Sequence, residues 1–200
     1  MKKIMILMLS MVMLMSFTIQ CYAITFSDVA DNAWFKDYVY DLAGKGVING
    51  YPDGTYKPDD AVTVGAFLKL IMIASTGDKV NYDLVETQYQ HWAAPYLKVA
   101  ENADVLSIGE YTKEDLDRPI TRIEIVRILT RCDLIIKETP QKSSSKFFTD
   151  TSNISDDDRV YLSHAVGIGV INGDPAGTFR PNDGLIRSEC AKVIYTYTNR

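Results

Sequence analysis

Arg122 and Arg187 stand where a cation works against stability. Arg122 sits in Ile120-Thr121-Arg122-Ile123-Glu124 and Arg187 in Ile186-Arg187-Ser188-Glu189. Each opens a run with one-face helical spacing: Ile125, Ile128, Leu129 and Cys132 after the first, Cys190, Val193, Ile194 and Tyr197 after the second. A cation in a first helical turn opposes the macrodipole by about 0.3–1 kcal/mol, so its return points to another benefit. N–H groups at a helix start beside a guanidinium make an anion pocket suited to a carboxylate. On the residues alone, an ion pair with Asp28, Asp150 or a neighbouring glutamate is the stronger reading. Thr121 and Glu124 have capping-box spacing; Glu189 keeps the glutamate place, but Ile186 cannot cap. Trp34 and Trp92 each open an amphipathic stretch. Packing at the core edge is the first expectation for them and stacking on a sugar face the second.

Other chemistry is thinner. His91 and His164 lack partners at metal-ligand spacing and read as surface or edge residues, so no zinc site is expected. Asn49, Asp53, Gly54 and Asp60 occupy positions 1, 5, 6 and 12 of a calcium loop of the EF-hand kind, but Tyr51 and Pro52 spoil the match and Ala176 replaces the ligand at position 5 in a later copy. Asp156, Asp157 and Asp158 read as a solvated turn that complements a helix start. No nucleophile and base recur at a workable spacing, so neither an enzyme nor a cofactor is expected.

These residues are positioned by repeated elements. Val47 to Asp60 returns as Val170 to Asp183, with Gly50, Pro52, Gly54, Thr55, Pro58 and Asp60 falling on Gly173, Pro175, Gly177, Thr178, Pro181 and Asp183. Glycine and proline stop one helix, Pro52-Asp53-Gly54 turns, and a second helix begins. Thr55-Tyr56 and Thr178-Phe179 look extended and brief, with one aromatic per loop as a plug. Phe35, Tyr38, Val39 and Leu42 form the first helix face; Phe67, Leu70, Ile71 and Ala74 form the second. At a shift of 58 residues, Trp34, Tyr38, Val39 and Val47 map onto Trp92, Tyr96, Leu97 and Val105. A third pair carries Tyr161, Leu162 and Ala165 on its first helix. Short helices cannot bury their faces alone, so the expectation is an all-α fold of three helix-loop-helix repeats. Its pseudo-threefold arrangement would centre on a three-helix bundle of second helices. The bounds are 24–76, 77–137 and 147–200, with 138–146 as a linker.

Residues 1–23 read as a signal peptide, with a basic head at Lys2-Lys3, an apolar run and a small ending at Ala23. Their removal changes 21 basic and 26 acidic residues into 19 and 26, a formal charge of −7. That balance argues against nucleic acid and against an anionic membrane surface. Secretion favours disulfides, yet Cys132 and Cys190 lie seven positions out of register on their helices. At 1.5 Å per residue the axial offset is about 10 Å, beyond the reach of a bridge, so two buried free thiols are expected.

Phe26-Ser27-Asp28-Val29, Trp34, Gly46 to Pro58 and Thr121-Arg122-Ile123-Glu124 together resemble the S-layer homology (SLH) domain family, over essentially the whole mature chain. The resemblance implies three tandem repeats and a helical spindle that holds surface proteins to a bacterial envelope. Its partner would be a secondary cell wall polysaccharide, often pyruvylated, or a peptidoglycan-linked glycan, held in grooves between lobes. Another surface protein is a further possible partner. Localisation would be secreted and cell-wall-bound, with no membrane contact after signal removal. The alternative is a calcium-dependent or protein–protein interaction module that binds no glycan. Carried onto this chain, the ligand candidates are Arg122, Arg187, Glu124, Glu189, Asp28, Asp150, Trp34 and Trp92. The family's second helix opens Thr-Arg-Ala-Glu. Here repeat one has Thr63-Val64-Gly65-Ala66, and repeat two replaces the turn with Ser107 to Arg118. Because cap, arginine and glutamate coexist only in repeat two, the expectation places the main site at Arg122.

Overall fold

A computed structural model describes residues 24–200 apart from Tyr89. The expected signal peptide, 1–23, lies outside the described residues. Among the described residues six α-helices account for the regular structure: α1 (Lys36–Gly44), α2 (Val64–Thr76), α3 (Ala94–Asn102), α4 (Arg122–Arg131), α5 (Asp156–Gly167) and α6 (Arg187–Thr198). A π-helical turn, Cys132–Ile136, prolongs α4. The fold class is all-α, as the sequence implies. No helix among the described residues is long and apolar enough to cross a membrane.

Thr55-Tyr56 and Thr178-Phe179 form no strand. Pairing occurs a few residues later, as single antiparallel bridges of Ala61 with Ile186, Thr63 with Pro119, and Thr121 with Gly184. The segments entering α2, α4 and α6 are thereby each joined to both others, closing a ring. Pairing falls here because these residues arrive extended: Thr63, Thr121 and Ile186 are helix N-caps in the β region.

The helices pack differently from the order in which the loops join them. α2 lies on α3, α4 on α5, and α6 on α1. Each loop swings its second helix away from the first, so the buried face of α1, with Val39, Leu42 and Ala43, is covered by α6. α2 also meets α6 and the π-turn. It is almost wholly apolar, and Phe67, Leu68, Ile71 and Met72 are fully buried. Tyr56 and Phe179 are buried too, as the loop plugs their spacing suggests.

His164 departs from expectation. Glu138 to Lys146 is largely exposed, but the Lys142 N–H donates to His164 Nδ1 at 3.0 Å and the Ser144 N–H to Ser163 Oγ at 2.9 Å, which lays the segment along α5. His164 is fully buried rather than at an edge, with Nε2 at 2.9 Å from the buried Asp133 carboxylate. Asp133 also accepts from Thr139 Oγ1 at 2.6 Å and contacts the Arg200 guanidinium. A ring accepting at Nδ1 must carry its proton on Nε2, so this imidazole is neutral and donates to Asp133. Burial pulls its pKa below the ordinary value. Cys132 and Cys190 are free and buried, and burial pushes both thiols up to about 12.

Candidate functional site

The loop plugs are held from two sides. Phe26 lies beneath Gly50, where an added Cβ would stand 2.3 Å from the ring at a φ of +64°, so only glycine fits. Asp28 accepts from the Tyr56 and Lys57 N–H groups, both at 2.7 Å. Asp150 does the same for Phe179 at 2.9 Å and Arg180 at 2.7 Å. Lys57 and Arg180 are in the left-handed region, at φ 56° and 57°, and these carboxylates hold them there. Desolvation raises the Asp150 pKa, but the two loop N–H groups outweigh it and the net shift is downward.

The arginines complete the clamp. Arg187 Nε donates to the Tyr56 carbonyl at 2.8 Å and Arg122 Nε to the Phe179 carbonyl at 2.6 Å. Each guanidinium also lies over the plug it holds, 4.7 Å from the Tyr56 ring centre and 5.2 Å from that of Phe179. The geometry is therefore neither the expected pairing with Asp28 or Asp150 nor a guanidinium beside open helix N–H groups. Loop carbonyls close those groups: Arg122 N–H reaches Asp183 O and Ile123 N–H reaches Pro181 O, while Arg187 and Ser188 reach Asp60 and Pro58. Among the described residues neither guanidinium has a carboxylate within ion-pair distance; burial and then the Arg180 cation lower the Arg122 pKa, with Glu189, Asp183 and Asp174 opposing more weakly.

Arg187 opens onto a groove of about 400 Å³ lined by Tyr51, Thr63, Ala66, Lys69, Trp92 and Asp117 among others. The guanidinium lies 4.9 Å from the Tyr51 ring centre at its wall. Lys69 is lowered in pKa by burial and then by the positive charge of Arg187, so two cations share this space. Asp117 faces its own partner, His91 Nε2, at 3.2 Å. Arg122 and Trp34 do not line this groove. Trp92 does, and both indoles are exposed, at 54% for Trp92 and 56% for Trp34, instead of anchoring the core. Each precedes its helix by two positions, and the inward place at Trp92 is taken by the fully buried Ala93.

The other glutamates and acids have internal partners. Glu124 completes the capping box, accepting from Thr121 N–H at 2.9 Å and Thr121 Oγ1 at 2.8 Å, and binds Arg118 at 2.6 Å. Among the described residues Glu189 accepts from Ile186 N–H alone, at 3.3 Å. Asp158 is buried against Arg127, with two contacts at 2.9 Å, so only part of the acidic run in the first turn of α5 is solvated. Asp53 accepts from Thr55 N–H and Oγ1 within its own turn. No cluster of three or more metal-ligating side chains occurs among the described residues.

Val64 faces the segment that replaces the turn in the middle of the chain. Its N–H donates to Arg118 O and its side chain is fully buried, while Gly65 admits Ala93 and Leu116 to within 2.8 and 3.0 Å of where a Cβ would stand. The two departures in the sequence are thus partners in space. Lys69, Tyr51, Thr63 and Ala66 escape a motif search, yet one signal was present: Lys69, Arg127 and Lys192 recur at the offsets of the repeats, a cation in each second helix.

The class is an all-helical module whose helix-entry segments close into a ring, with a groove walled by Arg187, Lys69 and aromatics. Residues 25–65 and 147–191 match the family model of the S-layer homology domain. The unmatched middle is the part that lacks the turn. The chain is 27% identical over 177 residues to an amylopullulanase of Thermoanaerobacterium thermosulfurigenes, covering 87% of this chain and 9% of that one. It is 29% identical over 178 residues to exoglucanase XynX of Acetivibrio thermocellus, covering 86% and 16%. It is also 29% identical over 163 residues to cell surface glycoprotein 1 of Acetivibrio thermocellus, covering 74% and 7%. The chain therefore spans less than a fifth of the length of each of these relatives.

Proposed function

We propose that this chain is a non-catalytic anchoring module of a bacterial cell envelope. It would hold an acidic wall polysaccharide, such as a pyruvylated secondary cell wall polymer, in the groove between the Tyr51 loop, α2 and Arg187. The observation that carries this reading is the pair of cations Arg187 and Lys69, without a carboxylate in ion-pair distance among the described residues, beside an exposed Trp92. Cations supply attraction for a sugar carboxylate and the indole a face for its ring. Three units around a pseudo-threefold, with bounds near 24–76, 77–137 and 147–200, belong to the same reading, supported by the ring of bridges. So does secretion to the wall. That the similar stretch forms a small part of two enzymes and a surface glycoprotein fits a module that serves unlike bodies.

The site moves from Arg122 to Arg187 in this proposal. Arg122 keeps its clamp but does not line the groove, whereas Arg187 does, together with Lys69. The test is co-sedimentation of residues 24–200 with wall sacculi, before and after acid extraction of the non-peptidoglycan polymers. Binding that disappears on extraction and weakens in Arg187→Ala supports the reading; binding that survives extraction, or none to intact sacculi, overturns it.

A further inference from the structure

Three helices enter the ring with related N-caps, and two of them carry a carboxylate there. In α4 the Thr121 N–H and hydroxyl both donate to Glu124, at 2.9 and 2.8 Å, and in α6 the Ile186 N–H donates to Glu189 at 3.3 Å. In α2 the glutamate position is Ala66. Thr63 keeps the rest of the cap, its Oγ1 accepting the Ala66 N–H at 3.2 Å. The bridge of Thr63 with Pro119 uses the N–H groups of Val64 and Ile120, not that of Thr63. No hydrogen-bond acceptor for the Thr63 N–H is found among the described residues. Thr63 and Ala66 both line the groove that holds Arg187 and Lys69.

We infer that a carboxylate of the ligand takes the place of the missing capping glutamate, seated on the Thr63 N–H and hydroxyl with Lys69 and Arg187 on either side. This rests on the groove being the ligand site and specifies which of its atoms read the charge. The chain supplies its own template: Glu124 shows that a Thr cap of this geometry accepts a planar carboxylate through two donors at once. The two cations supply the countercharge that Arg118 gives to Glu124. Asp117, at the rim of the groove, has a 75% exposed side chain and points to His91, so it leaves the seat open.

The inference has a reversible test, because the chain can be made to fill its own seat. In Ala66→Glu the new side chain should complete the capping box, so the variant should melt higher than the parent and lose the ligand. The probe is a methyl glycoside bearing a pyruvyl ketal, with the same glycoside as its methyl ester for comparison. Titrated into residues 24–200, the acid should move the Thr63 amide resonance and the ester should not. Ala66→Glu should weaken acid binding about tenfold or more, as expected when a charge-assisted contact is lost, and Lys69→Met should weaken it while leaving the fold intact. A Thr63 amide that stays still at saturation, an Ala66→Glu variant that binds within about twofold of the parent, or displacement of the acid by an equal concentration of inorganic phosphate each overturns the carboxylate seat. Failure of the parent to bind sacculi while Thr63 responds to the acid would instead sink the anchoring function and leave the seat standing.

Discussion

Arg187 and Tyr56 hold each other by reciprocal hydrogen bonds. The Tyr56 hydroxyl donates to the Arg187 carbonyl at 2.7 Å, and Arg187 Nε donates to the Tyr56 carbonyl at 2.8 Å. The arginine at a helix start is thus a clamp on a loop that precedes it by 131 residues, and only its remaining nitrogens are left for a ligand. Burial and neighbouring charge push the Tyr56 phenol far above its ordinary pKa, so it stays a donor throughout the accessible range. Tyr56→Phe, which deletes one of the two bonds, should cost about 0.5–1.5 kcal/mol in urea unfolding and leave wall binding near the parent level. A loss of binding without a loss of stability would mean that the phenol itself meets the ligand.

The same geometry ranks the arginines. Arg187→Ala removes both the clamp and a groove cation, so it should lower stability and wall affinity together. Arg122→Ala should lower stability by a similar amount, since its Nε bond to the Phe179 carbonyl is of the same kind, with little effect on affinity. Co-sedimentation with sacculi, paired with melts of the same variants, separates these effects. Equal affinity losses would restore the assignment to Arg122.

Much of this was legible in the sequence and some was not, for identifiable reasons. The apolar spacing of α2, α4 and α6 and the repeated loop fixed the helices, the plugs Tyr56 and Phe179, and the free thiols. The pairing of α2 with α3 and of α6 with α1 was hidden, because periodicity says which face is buried and not what covers it. His164 was misread for a related reason: a histidine on a helix reveals nothing of Asp133, 31 residues away, until the chain is folded. Thr63 and Ala66 were read as a departure from the motif, a glutamate missing from one copy, and only the folded chain places them in the groove.

Gly65 gives a packing prediction that the sequence could not. A Cβ there would stand 2.8 Å from Ala93 Cβ and 3.0 Å from the Leu116 carbonyl oxygen, and neither has a flexible end to move. Gly65→Ala gains about 1 kcal/mol of helix propensity against about 1–3 kcal/mol of overpacking. The net should be destabilising, measured as a lower urea midpoint. Gly184→Ala is the control, because its Cβ would meet only the Ile120 carbonyl, at an ordinary 3.5 Å. If both variants behave alike, the approach of α3 to α2 is looser than described.

The last prediction concerns acid. His164 is neutral in the fold because the Lys142 N–H occupies its Nδ1 and burial disfavours a second proton, so its folded pKa lies below the ordinary 6.5. The unfolded chain therefore binds the proton first as pH falls. Stability attributable to this residue is complete above about pH 6.5 and is lost progressively below it, until the folded ring also protonates. Protonation would place an N–H against the Lys142 N–H and release the 138–146 segment from α5. Urea midpoints of residues 24–200 should thus begin to decline as pH falls through about 6.5, before most carboxylates titrate. In the fold the ring resonances of His164 should titrate below the ordinary 6.5. An imidazole that titrates at or above its ordinary value would show that Asp133 holds it as a cation, and the slope would then take the opposite sign.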